Sequence, residues 1–538
     1  MKYAVLTTLC LLPAALFGCG SDVSGGATEG ATEGSGAAGG TGGAGGVGGT
    51  GGTGGTGGAG GEEAPRCGPS DPPCVVASAP AANAADAPVD AEVAVTFSCA
   101  MAPDSVSAAS FEVSGRSSGA RTGELRAEGA EIAFTPTRPF FAGEHVDVAL
   151  YPDLQSEAGV PLARPYLYQF VTATAESSGA PTASPQEFGT QLATVFGDFD
   201  GDGDLDLVMG ANEEDDRKLY LWKNDGQGSF TRSEPGFNET DQALSLAAGD
   251  LDGDGDLDLF AGNDVIVGDG SKVWFNDGAG VFTDSGQSLI NIDTYHTYDV
   301  VLGDVDGDGD LDALAATAGD FDGEFETVFW INDGNGTFSE PQPYGGWMTR
   351  QVAFADLDGD GDLDVLHTKS RTYTGDEIQW SHISFNDGTG SFPQGGEVGP
   401  GDVGLSLLGD LDGDGDLDAM FFPYFGSDFE VWRNDGAGNF TNSGVALPNA
   451  TGDCAALGDM DGDGDLDAVV SFGGWNEKTK LLLNDGQGVF TKSPVQIPAG
   501  GKFVNLGDVD GDGDLDIFVA NPEVPPSGVM APRLWLNE

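Results

Sequence analysis

The chain has 538 residues, 88 of them acidic and 21 basic, for a formal net charge of -67. That length has room for two or three domains and a large core. So little Lys and Arg excludes nucleic acid and anionic membrane surfaces as partners, because both require concentrated positive charge.

Residues 1–18 read as a signal peptide, with Lys2 ahead of an apolar run from Ala4 to Phe17 that is too short to span a bilayer. Leu16-Phe17-Gly18-Cys19 resembles the bacterial lipobox, although Phe17 stands where a small residue is usual. The resemblance implies cleavage before Cys19 and a diacylglycerol on its sulfur, which would hold the protein at a bacterial outer membrane or cell surface by burying methylenes. Residues 19–73 read as a tether. From Gly20 to Gly61 they are nearly all Gly, Thr, Ala and Ser, too poor in apolar side chains to form a core. Such a stretch has a root-mean-square reach of about 35 Å. Cys67 and Cys74 bracket GPSDPP, and in an exported chain the expectation is a small disulfide loop. Cys99 and Cys454 have no evident partner and are expected as buried thiols.

Residues 74–175 contain short alternating apolar runs separated by Gly and Pro turns: EVAVTFS, SFEVSG, EIAFTPT, HVDVALY and YLYQFVT. Period-two runs at this spacing predict a β-sandwich. PVDAEVAVTFSCAM, IAFTPTRPFFAGEHVDVAL, AGVPL and YQFVT resemble the SbsA-type bacterial immunoglobulin-like family, which implies a spacer in an exported protein. Gly115-Arg-Ser117-Ser-Gly119 matches the G-x-S-x-G pattern but sits in a predicted β-loop, where no nucleophile elbow forms.

From residue 184 to 538 one nine-residue segment recurs seven times, first as DFDGDGDLD. Its carboxylates are Asp198, Asp200, Asp202, Asp204 and Asp206; then Asp250, Asp252, Asp254, Asp256 and Asp258; Asp304, Asp306, Asp308, Asp310 and Asp312; Asp356, Asp358, Asp360, Asp362 and Asp364; Asp410, Asp412, Asp414, Asp416 and Asp418; Asp459, Asp461, Asp463, Asp465 and Asp467; and Asp508, Asp510, Asp512, Asp514 and Asp516. Oxygen donors at positions 1, 3, 5 and 9, a carbonyl at 7 and a glycine at 6 suit Ca²⁺. About seven structural ions are expected, with the position-7 carboxylates facing solvent. Without metal, five aspartates in nine residues repel one another by about 1 kcal/mol or more per close pair near a protein surface.

Spacings of 52, 54, 52, 54, 49 and 49 residues between first aspartates mark a repeat array. In each repeat one strand enters the aspartate loop, a second leaves it, a third ends in Asn-Asp-Gly and a fourth follows. Four strands in about fifty residues, seven times, predict a seven-bladed β-propeller. Trp222, Trp274, Trp330, Trp432 and Trp535 recur at one third-strand position, with Ser384 and Leu482 in the other two repeats, and are expected as packing between blades. The last repeat has no fourth strand after Asn537, whereas Ser184–Phe188 resembles the fourth-strand segment Ser493–Ile497; the start of the array is expected to close the ring. These residues resemble the FG-GAP/VCBS repeat family, shared by integrin α chains and exported bacterial proteins. The resemblance implies a calcium-loop propeller used for binding or adhesion.

The fold class expected is therefore all-β, an Ig-like sandwich followed by a seven-bladed propeller. Any ligand, an extracellular glycan or protein, is expected on the face opposite the aspartate loops. There the variable connections carry Tyr295, His296, Trp347, Arg350, His367, Arg371, Tyr373, Tyr424 and Trp475, with Trp347 and Trp475 as leading contacts. A purely structural envelope protein and a propeller enzyme acting on polysaccharide are the alternatives. Four histidines and the absence of H-E-x-x-H, P-loop or zinc-spaced cysteine motifs leave no catalytic residue to name. A monomer touching the membrane only through its lipid is expected.

Overall fold

The computed structural model describes residue 68 and residues 70–537, except 178–180, 187, 189–190, 212–217, 234–235, 238–242, 264–269, 288, 290–294, 320–324, 340, 345–348, 370–378, 424–427, 448–451, 453, 472–477, 499 and 521–532. The signal peptide, Cys19, the glycine-rich tether and Cys67 lie outside the described residues. Among the described residues no helix is long and apolar enough to cross a membrane.

The first unit has eight strands: β1 (Val75–Ala79), β2 (Val93–Phe97), β3 (Phe111–Gly115), β4 (Gly119–Ala120), β5 (Gly123–Glu128), β6 (Glu131–Pro136), β7 (His145–Leu150) and β8 (Tyr166–Val171). They form two four-stranded antiparallel sheets, in the orders β1-β2-β6-β5 and β4-β3-β7-β8. The period-two pattern explains the sandwich. Val93, Val95 and Phe97 of β2, Phe111 and Val113 of β3, and Val146, Val148 and Leu150 of β7 all point into one core with Tyr168 and Phe170. Gly115 and Gly119 face each other across the β3–β4 hairpin, so Ser117 lies in a tight turn and not on an elbow.

The expectation for Cys99 is corrected. Cys74 and Cys99 are both disulfide-bonded, while Cys454 is a buried thiol outside any disulfide, as expected. The pairing of β1 with β2 brings the Ser98 N–H within 2.8 Å of the Cys74 carbonyl, a cross-strand proximity that a reading by sequence distance misses.

Seven further four-stranded antiparallel sheets follow. In the first, β10 (Gln191–Gly197) enters the aspartate loop, β11 (Asp206–Ala211) leaves it, and β12 (Leu219–Lys223) and β13 (Thr231–Ser233) complete the sheet. The seventh is made of Phe503–Gly507, Asp516–Ala520, Arg533–Leu536 and, as its outer strand, β9 (Thr182–Ala183) from the start of the array. Trp535 pairs with Ala183 and Leu536 with Thr182. The pairing strand begins two residues before the expected Ser184. Phe188 does join the first and last sheets, packing in one core with Trp222 and Phe230 on one side and Phe518 and Leu534 on the other. The Thr194 hydroxyl adds a hydrogen bond to Asn505 Oδ1 at 2.9 Å.

The repeated tryptophans are core residues. Trp222, Trp274, Trp330 and Trp535 are buried and Trp432 packs against a core from the half-buried side. His367, read as a loop residue, is corrected: it lies in the strand Asp364–Lys369, 1% exposed and stacked on Tyr344. Burial pushes its pKa down to about 3, which makes it a neutral core histidine.

The Ig-like sandwich does not stand away as a spacer. It sits on the aspartate-loop side of the repeats and touches all seven loops through Ser117, Gly119, Tyr151, Arg164, Asn83, Thr174 and Ala175. A cavity of 470 Å³ remains between the two units, with Glu112, Arg116, His145, Asp147 and Gln169 above and Leu257, Leu311 and Leu515 below.

Candidate metal centre

Each aspartate loop is wound by its glycines. Positions 4 and 6 of all seven have positive φ, as at Gly201 (73°) and Gly203 (99°), a backbone region that side chains disfavour. The winding turns the N–H groups of both glycines onto the position-1 carboxylate. Gly253 and Gly255 donate to the two oxygens of Asp250 at 2.8 and 2.9 Å, and the same pair of bonds recurs at Asp304, Asp356, Asp410, Asp459 and Asp508. The position-5 carboxylate accepts the position-7 N–H, as Asp254 does from Asp256 at 3.1 Å.

The result gathers positions 1, 3 and 5. Oxygens of Asp198, Asp200 and Asp202 lie within 4.8 Å of one another, as do those of Asp250, Asp252 and Asp254, of Asp304, Asp306 and Asp308, of Asp356, Asp358 and Asp360, of Asp410, Asp412 and Asp414, and of two further groups. Within these groups one oxygen of position 3 is left over. Oδ1 of Asp200, Asp306, Asp358, Asp412 and Asp461 is buried with no hydrogen-bond partner among the described residues. An unpartnered buried carboxylate oxygen is costly, and its recurrence at one loop position is a property of the site. Burial raises the position-1 acids, Asp304, Asp410 and Asp508 to about 6 and Asp356 to about 8, because the two glycine N–H groups offset only part of their desolvation.

Position 9 has a different neighbourhood. Its carboxylate is not part of the 4.8 Å grouping. Oδ1 accepts the backbone N–H of the third-strand asparagine in every repeat, from Asn224 on Asp206 at 2.8 Å to Asn537 on Asp516 at 2.8 Å. Oδ2 accepts the position-2 N–H in five repeats, at Asp258, Asp312, Asp364, Asp467 and Asp516. In the other two, Oδ2 of Asp206 and of Asp418 is buried without a partner.

The position-7 carboxylates are corrected: none faces solvent freely. Asp204, Asp256, Asp310, Asp362, Asp416 and Asp465 lie against the glycine of their own Asn-Asp-Gly turn, so closely that a Cβ on Gly226 would stand 2.6 Å from Asp204 Oδ1. Asp362 and Asp514 are buried.

The third-strand asparagine, read from sequence as a turn residue only, also links repeats. Its Nδ2 donates to the position-2 carbonyl of the preceding loop: Asn276 to Phe199, Asn332 to Leu251, Asn386 to Val305, Asn434 to Leu357, Asn484 to Leu411, Asn537 to Met460, and Asn224 to Val509 of the last loop. The signal was present in the sequence. This asparagine is the same in all seven repeats, while the residue before it varies from Lys223 to Phe275 to Leu536.

Two loops carry a cation from their own repeat on position 3. Lys223 Nζ lies 2.8 Å from Asp200 Oδ2, and Arg433 Nη1 lies 2.7 Å from Asp412 Oδ2. Of the residues expected on the opposite face, Arg350 is half-buried in the strand Thr349–Ala355 and Tyr295 and His296 begin the strand Tyr295–Gly303. Trp347, Arg371, Tyr373, Tyr424 and Trp475 lie outside the described residues.

Comparison with known proteins bears on the whole arrangement. A family model described as FG-GAP-like repeat matches residues 178–261, 318–367, 410–470 and 459–519, and one described as bacterial Ig-like domain matches residues 69–172. The loop beginning at Asp304 falls between the matched spans, yet it has the same hydrogen bonds as the rest. No curated protein matches the chain. Among solved structures, the crystal structure of the V. cholerae biofilm matrix protein Bap1 is similar at 12% identity and a TM-score of 0.36, over 68% of this chain and 91% of that one. The chain therefore carries FG-GAP-like repeats with a bacterial Ig-like domain ahead of them.

Proposed function

We propose that this is an exported, lipid-anchored surface protein whose seven sheets close into a calcium-stabilised propeller and present their free face to an extracellular glycan or protein. The observation that carries the metal reading is the orphaned position-3 oxygen, repeated at Asp200, Asp306, Asp358, Asp412 and Asp461 inside a group of three carboxylates. A hard divalent cation provides the partner that no protein group provides. Positions 1, 3 and 5 would hold it with the position-7 carbonyl, and Asp206 and Asp418 each have an open oxygen to add. Bound calcium supplies the charge neutralisation that lets these acids stay ionised while buried.

Ring closure is supported by the bond from Asn224 to Val509, which repeats between first and last units the link found between every other neighbouring pair. It is supported again by β9 in the seventh sheet. A binding role for the opposite face is favoured because the Ig-like domain occupies the loop face. Calorimetric titration of the full chain with CaCl₂, followed by a glycan array with the loaded protein, tests both parts. Absence of calcium uptake removes the metal reading; uptake without any surface ligand leaves a structural envelope protein.

A further inference from the structure

Arg164 lies between β7 and β8 of the Ig-like domain, and its guanidinium reaches into the fourth aspartate loop. Nη1 stands 2.6 Å from Asp362 Oδ2 and 3.0 Å from Asp360 Oδ2, and Nη2 donates to the Asp360 carbonyl. Asp360 is position 5 of its loop, and its other oxygen already accepts the Asp362 N–H at 3.2 Å. Both oxygens of a position-5 carboxylate are thus engaged, and among the described residues no other loop receives a cation there. Lys223 and Arg433 differ in kind: each comes from its own repeat, pairs with Oδ2 of position 3, and leaves Oδ1 of that carboxylate without a partner.

The Ig-like domain also holds the fourth loop through its backbone and a ring. The Leu167 N–H donates to the Gly361 carbonyl at 3.1 Å, and the Tyr166 ring packs on Gly361, where a Cβ would stand 2.7 Å from Tyr166 Cδ2. Asp356 and Asp362 are both buried beneath this contact.

We propose that Arg164 is the resident cation of the fourth loop, so that docking of the Ig-like domain and calcium binding at this loop oppose each other. The inference rests on the calcium reading above. Asp360 has to yield an oxygen to one cation or the other, and a guanidinium and a calcium ion sharing that carboxylate repel. Coupling of this kind is reciprocal: the factor by which docked Arg164 weakens calcium at the fourth loop is the factor by which calcium there weakens docking. The fourth loop is then the weakest of the seven sites, and calcium sufficient to fill it loosens the domain seam while the other loops stay loaded.

Calorimetric titration of the full-length chain with CaCl₂, wild type against Arg164→Gln, tests this. The wild type should show one site weaker than the rest by about tenfold, within the usual range of about 5–150-fold for coupled sites. Arg164→Gln should bring that site up to the others without changing the total. Equivalent sites in both proteins overturn the proposal and leave the calcium reading intact, whereas no uptake in either overturns both. A second measurement needs no variant: protease cleavage of the segment 173–181 in the wild type should rise over the calcium range that fills the last site, and unchanged cleavage across that range overturns the proposal.

Discussion

Asn224 donates its side-chain N–H to the backbone carbonyl of Val509 at 2.7 Å, so the first and last repeats share the buried hydrogen bond that joins every neighbouring pair. The same Nδ2 also reaches the Leu205 carbonyl at 3.1 Å within its own repeat. Asn224→Ala takes a donor from the Leu205 carbonyl and removes one of the two donors of the Val509 carbonyl, which keeps the Gly228 N–H at 2.9 Å, at a cost of about 1–3 kcal/mol. The urea midpoint should fall accordingly, with Asn439→Ala, at an exposed turn position, as the comparison. Equal midpoints for the two variants would mean that the link contributes nothing.

The buried position-9 acids predict an inverted pH dependence in chelator. Burial pushes Asp364 up to about 9, Asp206, Asp312, Asp418, Asp467 and Asp516 to about 8, and Asp258 to about 7. An acid that holds its proton more tightly when folded adds stability that is fully present below the ordinary carboxylate pKa and lost as pH rises through the folded value. In EDTA the chain should therefore melt at a higher temperature at pH 5 than at pH 8.5. In millimolar Ca²⁺ the advantage of low pH should vanish or reverse, because metal binding favours the ionised carboxylates. A melting temperature in EDTA that is flat or rising from pH 5 to 8.5 would contradict the burial account.

Cysteine chemistry separates the two units. Under non-reducing conditions an alkylating reagent should leave Cys74 and Cys99 unlabelled, and Cys454, buried in a core between two sheets, should label only after denaturation. Peptide mass spectrometry reads this directly. Labelling of Cys99 in the native chain would restore the free-thiol expectation.

Much of this architecture was legible because it is periodic. The alternation in Val93, Val95 and Phe97 announces a half-buried strand, and DGDGDLD seven times announces the repeat. The likeness of Ser184–Phe188 to Ser493–Ile497 pointed to the strand exchange that β9 performs two residues earlier. What stayed hidden is aperiodic. Arg164, Tyr151 and Thr174 dock one unit on the other, but each contacts a different loop through different chemistry, so no pattern in the chain marks them. The burial of Asp362 and the disulfide at Cys99 were missed for the same reason: both depend on residues far away in sequence.

Anchoring has its own test. If Cys19 carries the lipid, Cys19→Ser should move the protein from the detergent phase to the aqueous phase on cloud-point partitioning, with the repeats still folded. A mature N-terminus elsewhere than Cys19 in the wild type would refute it.

The face proposed for a ligand has a test that starts from strand direction. Each aspartate loop joins the first strand of a sheet to the second, so in an antiparallel sheet the second-to-third and fourth-to-first connections fall at the other end. Trp475 belongs to the connection between Asp467–Ser471 and Thr479–Leu483, and Trp347 to the one between Gln342–Tyr344 and Thr349–Ala355. The described strands flanking both connections point these ends away from the Ig-like domain, which covers the loop end through Ser117, Arg164 and Ala175. Each follows a pair of glycines, Gly345-Gly346 and Gly473-Gly474, and neither occupies the buried tryptophan position shared by Trp274 and Trp330. An indole held outside the core would offer a flat apolar face with one N–H, suited to a sugar ring. Trp347→Ala and Trp475→Ala together should weaken binding to polysaccharide or cell-surface preparations at least tenfold, about 1.4 kcal/mol, while the Ca²⁺-dependent melting temperature stays at the wild-type value. Binding that survives both changes in a protein that still responds to calcium would remove this face as the site.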